Sequence, residues 1–248
     1  MKYEFDKSID DPSRTEEHGI LIRNKPFLKS LYKEWYNELG SRMNQLPDGK
    51  IIELGSGGGF IKDVYPRVLT SDVMPLSTND LCFNAEETPF EDKSVAAYFM
   101  LNVFHHIPNP EKFLNEALRT LNNKGLVIMV EPGNSFFSRL IYKNLHHEPF
   151  DTKGGWTIES TGPMSSSNQA LPYIYFVRDR NIYESKFPQL KIIDLRLHTP
   201  FRYLMSGGVS ARTLVPSGSF NFFTGFEKML KPIWPATAMF MTVVLQKD

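Results

Sequence analysis

The chain has 248 residues, a length that suits one α/β domain with room for a cap. Lys and Arg total 28 and Asp and Glu total 28, so the formal net charge is zero and the basic surface of a general nucleic-acid binder is missing. Charged residues are 23% and hydrophobic ones 41%, which excludes a disordered chain, and a single cysteine, Cys82, excludes an internal disulfide or a cysteine-built zinc site.

Residues 1–24 read as a polar N-terminal arm, loose over 1–19. Its start, M-K-Y-E-F-D-K, is charged where a secretory leader needs an apolar run. No stretch approaches the roughly 18 uninterrupted apolar residues of a membrane span, so a soluble, cytoplasmic protein is expected. From Pro26 a helix is predicted, with Phe27, Leu28, Leu31, Tyr32, Trp35 and Leu39 on one stripe and Gly40 as its stop. Strands and helices then alternate. Strands are predicted at 50–54, 67–71, 81–83, 95–101 and 126–130. Asn109 and Pro110 start a helix that carries Phe113, Leu114, Ala117, Leu118 and Leu121. Ser135 caps another, with Phe137, Leu140, Ile141 and Leu145 expected inward.

This alternation implies right-handed βαβ crossovers and a parallel sheet. After His146 the rhythm breaks. Two stretches rich in Gly, Ser, Pro and aromatics, at 146–187 and 199–236, flank a strand at 191–197, and a last strand is predicted at 238–245. The expected fold is α/β: a doubly wound, mostly parallel seven-stranded sheet with helices on both faces. Residues 25–248 form one domain, with two insertions building an irregular cap.

The most informative segment is I-I-E-L-G-S-G-G-G-F, residues 51–60. A strand is followed by four glycines within five positions and then a predicted helix, whose N-terminus would offer unpaired N–H groups to an anion. Such a loop cradles a small ligand at the carboxyl edge of a sheet. A dinucleotide fingerprint counted from Gly55 needs glycine where Phe60 stands, and no G-K-[ST] follows. The pattern that fits is E-x-G-x-G-x-G, on Glu53, Gly55, Gly57 and Gly59. Asp72, closing the next strand, can accept from both hydroxyls of a ribose.

With N-A-E-E-T-P-F at 84–90 and F-M-L-N-V-F-H-H-I-P-N-P at 99–110, residues 45–131 resemble the class I S-adenosylmethionine-dependent methyltransferases. The flavour is similar to the small-molecule members of the ubiquinone and menaquinone pathway type, the type 11-like domains. The resemblance implies S-adenosylmethionine as cofactor. Its methionine part would lie on Glu53, Gly55, Ser56, Gly57 and Gly59, its ribose on Asp72, and its adenine beside Asn84, Ala85 and Glu86. Asn102 would sit near the methyl group. Asn84 stands where the family usually has Asp, and an acidic residue is common near Asn102.

Methyl transfer needs a base only when the nucleophile must lose a proton. His106 is the first candidate and His105 the second, since neighbouring side chains point different ways. Glu131 reads as a loop-entry residue overlooking the pocket. No metal site is expected: H-H-E-P-F-D at 146–151 is poorly spaced for one ion. There is neither an N-P-P-Y segment nor a Pro-Cys pair, so amino groups of nucleic acid and cytosine carbon are unsuited acceptors. A small or lipid-like acceptor is expected, with walls from Trp156, Tyr173, Tyr175, Phe176, Phe201 and Tyr203. The cluster Phe220, Phe222, Phe223 and Phe226 suits a membrane surface or a second subunit. Two other classes stay open: a nicotinamide-dependent oxidoreductase on a similar sheet, and a non-catalytic cofactor-binding or partner subunit of the same fold.

Overall fold

A computed structural model describes residues 6–146 and 148–248. Of the expected loose arm, residues 1–5 lie outside the described residues. The rest is not loose: α1 spans Pro12–Asn24, with Pro12 in its first turn and Asp11 accepting the Ser13 N–H at 2.9 Å. It has no apolar stripe because its buried face is made of Thr15, Gly19 and Ile22. Small residues let a backbone approach closely, and that signal is invisible to hydrophobic periodicity. The helix predicted from Pro26 is α2, Pro26–Leu39, and it buries Phe27, Leu28, Leu31, Trp35, Tyr36 and Leu39.

The strands are β1 (Lys50–Leu54), β2 (Leu69–Asp72), β3 (Leu81–Cys82), β4 (Val95–Leu101), β5 (Leu121–Pro132), β6 (Leu190–His198) and β7 (Phe240–Lys247). They form one seven-stranded sheet in the order β3-β2-β1-β4-β5-β7-β6. Strands β1 to β5 pair in parallel, and β7 runs antiparallel to both β5 and β6. This is the expected mostly parallel sheet. Its order reverses between β1 and β4, so a crevice opens at their carboxyl ends. All but the last residue of β4 is buried, as its unbroken apolar run requires.

Between the strands, α3 (Pro110–Thr120) starts where Asn109 accepts the Lys112 N–H, and α4 (Phe136–Leu145) starts on a reciprocal Ser135–Ser138 capping box. The inward face of α4 differs from expectation. Leu140 and Leu145 are exposed, whereas Ser138 and Tyr142 are buried. Their polar atoms are satisfied there: the Ser138 hydroxyl donates to the Gly133 carbonyl at 2.8 Å and the Tyr142 hydroxyl to the Met239 carbonyl at 2.6 Å. A second expectation also fails. No α-helix follows the glycine loop, only one 3-10 turn at Ile61–Asp63. Pro66 disfavours helix at Tyr65, and the few residues between Gly59 and Pro66 leave no room for one.

Both insertions carry helices. The first holds the short α5 (Leu171–Tyr173), which runs through a π-turn at Ile174–Arg178 into α6 (Arg180–Lys186). The second holds α7 (Arg202–Ser206), α8 (Phe220–Met229) and α9 (Trp234–Thr237). Arg202 ties this second insertion to the sheet domain. Its guanidinium donates twice to Glu34 of α2 at 2.6 Å, and its Nε donates to Glu227 of α8 at 2.5 Å. Phe220 and Phe223 pack on Phe27, while Phe222 and Phe226 are exposed.

Candidate functional site

A cavity of about 710 Å³ opens at the carboxyl ends of β1, β2 and β4, under the two insertions and α1. The turn after β1 forms its floor. Gly55 and Gly57 are left-handed there, at φ +60° and +50°, where a side chain would be strained. The turn is stitched to β2: Ser56 N–H donates to the Ser71 carbonyl at 2.9 Å, and Gly57 N–H donates to Asp72 Oδ2 at 3.0 Å. Gly58 and Gly59 have another explanation. A Cβ on Gly58 would meet the Gly19 backbone of α1, and one on Gly59 would meet the Tyr36 hydroxyl of α2 at 2.5 Å. Helix packing therefore accounts for Gly58, and also for Gly59, which the resemblance places at the ligand.

Two carboxylates face this floor. Asp72 takes Gly57 N–H on one oxygen and Met74 N–H on the other, each at 3.0 Å, with lone pairs remaining for further donors. Burial raises its pKa against those hydrogen bonds. Glu53 is 2% exposed, and its Oε2 has no hydrogen-bond partner among the described residues. Burial, with the charge of Asp72 adding, pushes its pKa up to about 7 although Ser56 opposes the rise. A buried carboxylate oxygen without a donor, beside the left-handed glycine turn, fits the ammonium group of an amino-acid ligand. A second carboxylate at the end of the next strand fits a ribose. Both fit an adenosyl sulfonium. The anion cradle expected at a helix N-terminus is absent with that helix.

Of the other expected cofactor residues, Asn84, Ala85 and Asn102 line the cavity. The Asn84 side-chain oxygen accepts the Glu86 N–H at 2.9 Å, closing a local turn. Asn102 is left-handed at φ +58°, and its N–H donates to the Val130 carbonyl, so it bends the chain as β4 ends. Glu86 is a correction. It is turned away from the cavity and accepts the Asn109 N–H at 2.8 Å, with the Lys112 ammonium 3.6 Å away. The unpaired N–H groups at the start of α3 draw this acid to themselves.

His105 and His106 both reach the cavity from a 3-10 turn at Phe104–His106. Glu131 builds that turn. One of its oxygens accepts the Val103 and Phe104 N–H groups, each at 2.8 Å, and the other lies 2.6 Å from His105 Nδ1. Glu131 is fully buried, so it is a hub rather than the loop-entry residue expected. His105 Nε2 faces Glu148 of the first insertion at 3.4 Å. Burial would lower the His105 pKa, but the two carboxylates outweigh it and hold the ring as a cation, at about 9. His106 Nδ1 lies 2.9 Å from the Ser166 carbonyl, and burial beside cationic His105 lowers its pKa to about 4. Burial would raise Glu148, but His105 holds it well below the usual carboxylate range. Among 146–151, His147 lies outside the described residues.

The expected acceptor walls are mostly elsewhere. Of the six aromatics named for them, only Tyr203 lines the cavity. Tyr175 and Phe176 are core, and the Tyr175 hydroxyl donates to the Trp156 carbonyl. The walls come instead from Tyr32 and Tyr36 of α2, Tyr142 of α4 and Phe240 of β7, with Thr15, His18 and Ile22 of α1 along one side. Tyr32 lies on the apolar stripe of α2, whose periodicity does not tell a cavity wall from a core position. Nothing in the local pattern marks α1.

Residues 52–129 match a family model described as a methyltransferase domain. Over those residues the chain is similar to a methyltransferase domain, and its sheet has the class I, Rossmann-like methyltransferase fold. A search of curated proteins returns no match. Two solved structures share the methyltransferase fold at low identity. One is a chain from the complex that contains the Haloferax volcanii Trm112 methyltransferase activator, at 14% identity and TM-score 0.55, covering 97% of this chain and 98% of that one. The other is a Thermotoga maritima SAM-dependent methyltransferase described as a possible histamine N-methyltransferase, at 15% identity and TM-score 0.54, covering 95% and 96%. Among the described residues, no helix is long and apolar enough to cross a membrane.

Proposed function

We propose that the protein transfers the methyl group of S-adenosylmethionine to a small molecule held in the same cavity. The observation that carries this reading is the pair Glu53 and Asp72 at the ends of β1 and β2: one buried carboxylate whose Oε2 has no donor among the described residues, and one with spare lone pairs beside the glycine turn. When bound, the cofactor supplies a methyl group already activated by its sulfonium.

The chain's own residues hold, orient and dry the site. Glu53 pairs with the ammonium group, and Asp72 accepts from the ribose hydroxyls. Gly55 and Gly57 let the backbone turn closely against the ligand, with Ser56 and Gly59 in the same turn, while Asn84 and Ala85 border the adenine and Asn102 the methyl end. Tyr32, Tyr36, Tyr142 and Tyr203 exclude water around the acceptor. Alignment of this kind can supply on the order of 7–11 kcal/mol of the barrier. His105 and His106 meet the acceptor, but neither is tuned as a general base. His105 is already protonated, and a ring at about 4 takes up protons poorly at neutral pH. The dinucleotide alternative loses support because no helix N-terminus follows the loop, and Phe60 fills the third-glycine position against Tyr32 and Tyr36.

Titration calorimetry with S-adenosylhomocysteine tests the cofactor half, with binding expected in the wild type and lost in Asp72→Ala. Labelled-methyl transfer into a metabolite extract tests the acceptor half. Folded protein that gives no heat with the cofactor or its product overturns the reading, and heat without transfer makes the chain a binding subunit.

A further inference from the structure

Vicinal histidines usually point apart, yet here their rings lie 4.3 Å apart at 40°. Two fixed partners cause this. Glu131 holds His105 by Nδ1 and the Ser166 carbonyl holds His106 by Nδ1. With both Nδ1 atoms engaged, both Nε2 atoms turn to one carboxylate, Glu148. The separations are 3.4 Å from His105 Nε2 to Oε2 and 3.8 Å from His106 Nε2 to Oε1. One ligand atom from each of the three residues lies within 4.8 Å of the others. Bonds of about 2.1 Å in tetrahedral array place ligand atoms about 3.4 Å apart, so these spacings need little adjustment.

We propose that His105, His106 and Glu148 bind one divalent transition-metal ion of the zinc type at the acceptor end of the cavity. The donor set is two imidazoles and a carboxylate, which suits zinc and its neighbours better than magnesium or calcium. The group is built into the protein: the side chains are 3%, 11% and 11% exposed. Its outer contacts have the form that orients metal ligands, a carboxylate and a backbone carbonyl on the far nitrogens. Gln169 donates to Glu148 Oε2 at 2.8 Å, and its own buried Oε1 has no partner among the described residues. A metal ion between the Glu148 carboxylate and the two Nε2 atoms takes the place of the proton that His105 otherwise carries there, and it engages both rings at once. Local spacing hid the group, because its third member comes from the first insertion, 42 positions after His106 (148 − 106).

Three protein ligands leave a coordination position open toward the cavity. Resting on the methyl-transfer reading, the acceptor is then a molecule that offers a ligating oxygen or nitrogen next to the atom methylated, or as that atom. Metal binding itself does not depend on that reading.

The test uses the full chain, stripped with a chelator and titrated with Co2+ in visible absorption, then with Zn2+ in competition. One equivalent of Co2+ per chain, displaced by Zn2+, is expected. Glu131→Gln, which keeps all three ligands, should weaken binding roughly ten- to a hundredfold. Glu148→Gln and His106→Ala should each abolish the Co2+ band, with circular dichroism checking that each is folded. If Glu148→Gln does not fold, His106→Ala carries the test. A folded wild type with no Co2+ band, or a band unchanged in the folded variants, overturns the site. Calorimetry with S-adenosylhomocysteine on the same samples separates the two ideas. Cofactor heat without metal overturns the metal site alone, and metal without cofactor heat overturns methyl transfer alone.

Discussion

Gly58 of the turn after β1 and Gly19 of α1 meet backbone to backbone, and a Cβ on Gly58 would lie 2.4 Å from the Gly19 nitrogen. Four residues along α1, Arg23 donates to the Gly58 and Gly59 carbonyls at 3.0 Å each. The N-terminal helix is thus seated on the glycine turn. Neither backbone can yield as a flexible side chain would, so Gly58→Ala should destabilise the fold by about 1–3 kcal/mol. Urea unfolding measures this, and an unchanged midpoint would mean that α1 is not seated as described. Calorimetry on the same variant should show weaker S-adenosylhomocysteine binding, because α1 also lines the cavity.

Asp72→Asn keeps the size of the side chain but replaces an acceptor oxygen with a donor. Gly57 or Met74 N–H then faces an amide NH2, and one ribose contact is lost. The affinity for S-adenosylhomocysteine should fall by about 2 kcal/mol, roughly thirtyfold. Calorimetry at constant pH checks it, and affinity within a few-fold of the wild type would remove Asp72 from the ligand contacts.

Glu53 gives a pH dependence with a definite sign. Its carboxyl titrates at about 7 in the fold against 4.5 ordinarily, and burial is the main cause. Between those values the native state holds a proton that the unfolded chain has released. Stability should therefore fall as pH rises from about 4.5 to 7, by on the order of 3 kcal/mol. Glu53→Gln should flatten this part of the profile in thermal melts taken across the range. Cofactor affinity should move the other way, rising through pH 7 as the carboxylate forms to meet the ammonium group. An affinity that is level across this range would detach Glu53 from the ligand.

Arg202 is buried between Glu34 and the buried Glu227. Arg202→Met leaves Glu227 without its cation and should cost about 3–5 kcal/mol. The double variant Arg202→Met with Glu227→Gln should regain part of that loss, because the stranded charge is gone. Equilibrium denaturation of both variants decides it. No difference between them would show that the charge is solvated by other means.

The sheet was legible because its signal is local. Val95–Leu101 is a continuous apolar run, and Asn109 and Ser135 are capping residues at the positions they occupy in the structure. The sheet edge that lines the cavity was legible for the same reason, since Glu53 lies at the end of one strand with the glycines after it and Asp72 closes the next. What escaped depends on tertiary contact. Helix α1 hides behind Thr15 and Gly19, whose smallness matters only against Gly57 and Gly58. Glu86 was assigned by position to the ligand, but the open N–H groups of α3 compete for it. Glu148 gains its place only when the first insertion folds back over the turn at Phe104–His106, and no spacing rule anticipates that return.

Strand β7 lies between β5 and β6 and pairs with both, so β6 has no sheet neighbour until residues 240–247 are present. A ribosome releases β6 some forty residues earlier. During synthesis that segment, with Ile193 and its neighbours, must wait unpaired for the piece that zips it to the rest. This long-range closure slows the final step of folding and leaves a sticky intermediate. Chaperone dependence and inclusion-body formation should therefore respond more to lesions in 240–247 than to equal losses of stability at β3, the opposite edge.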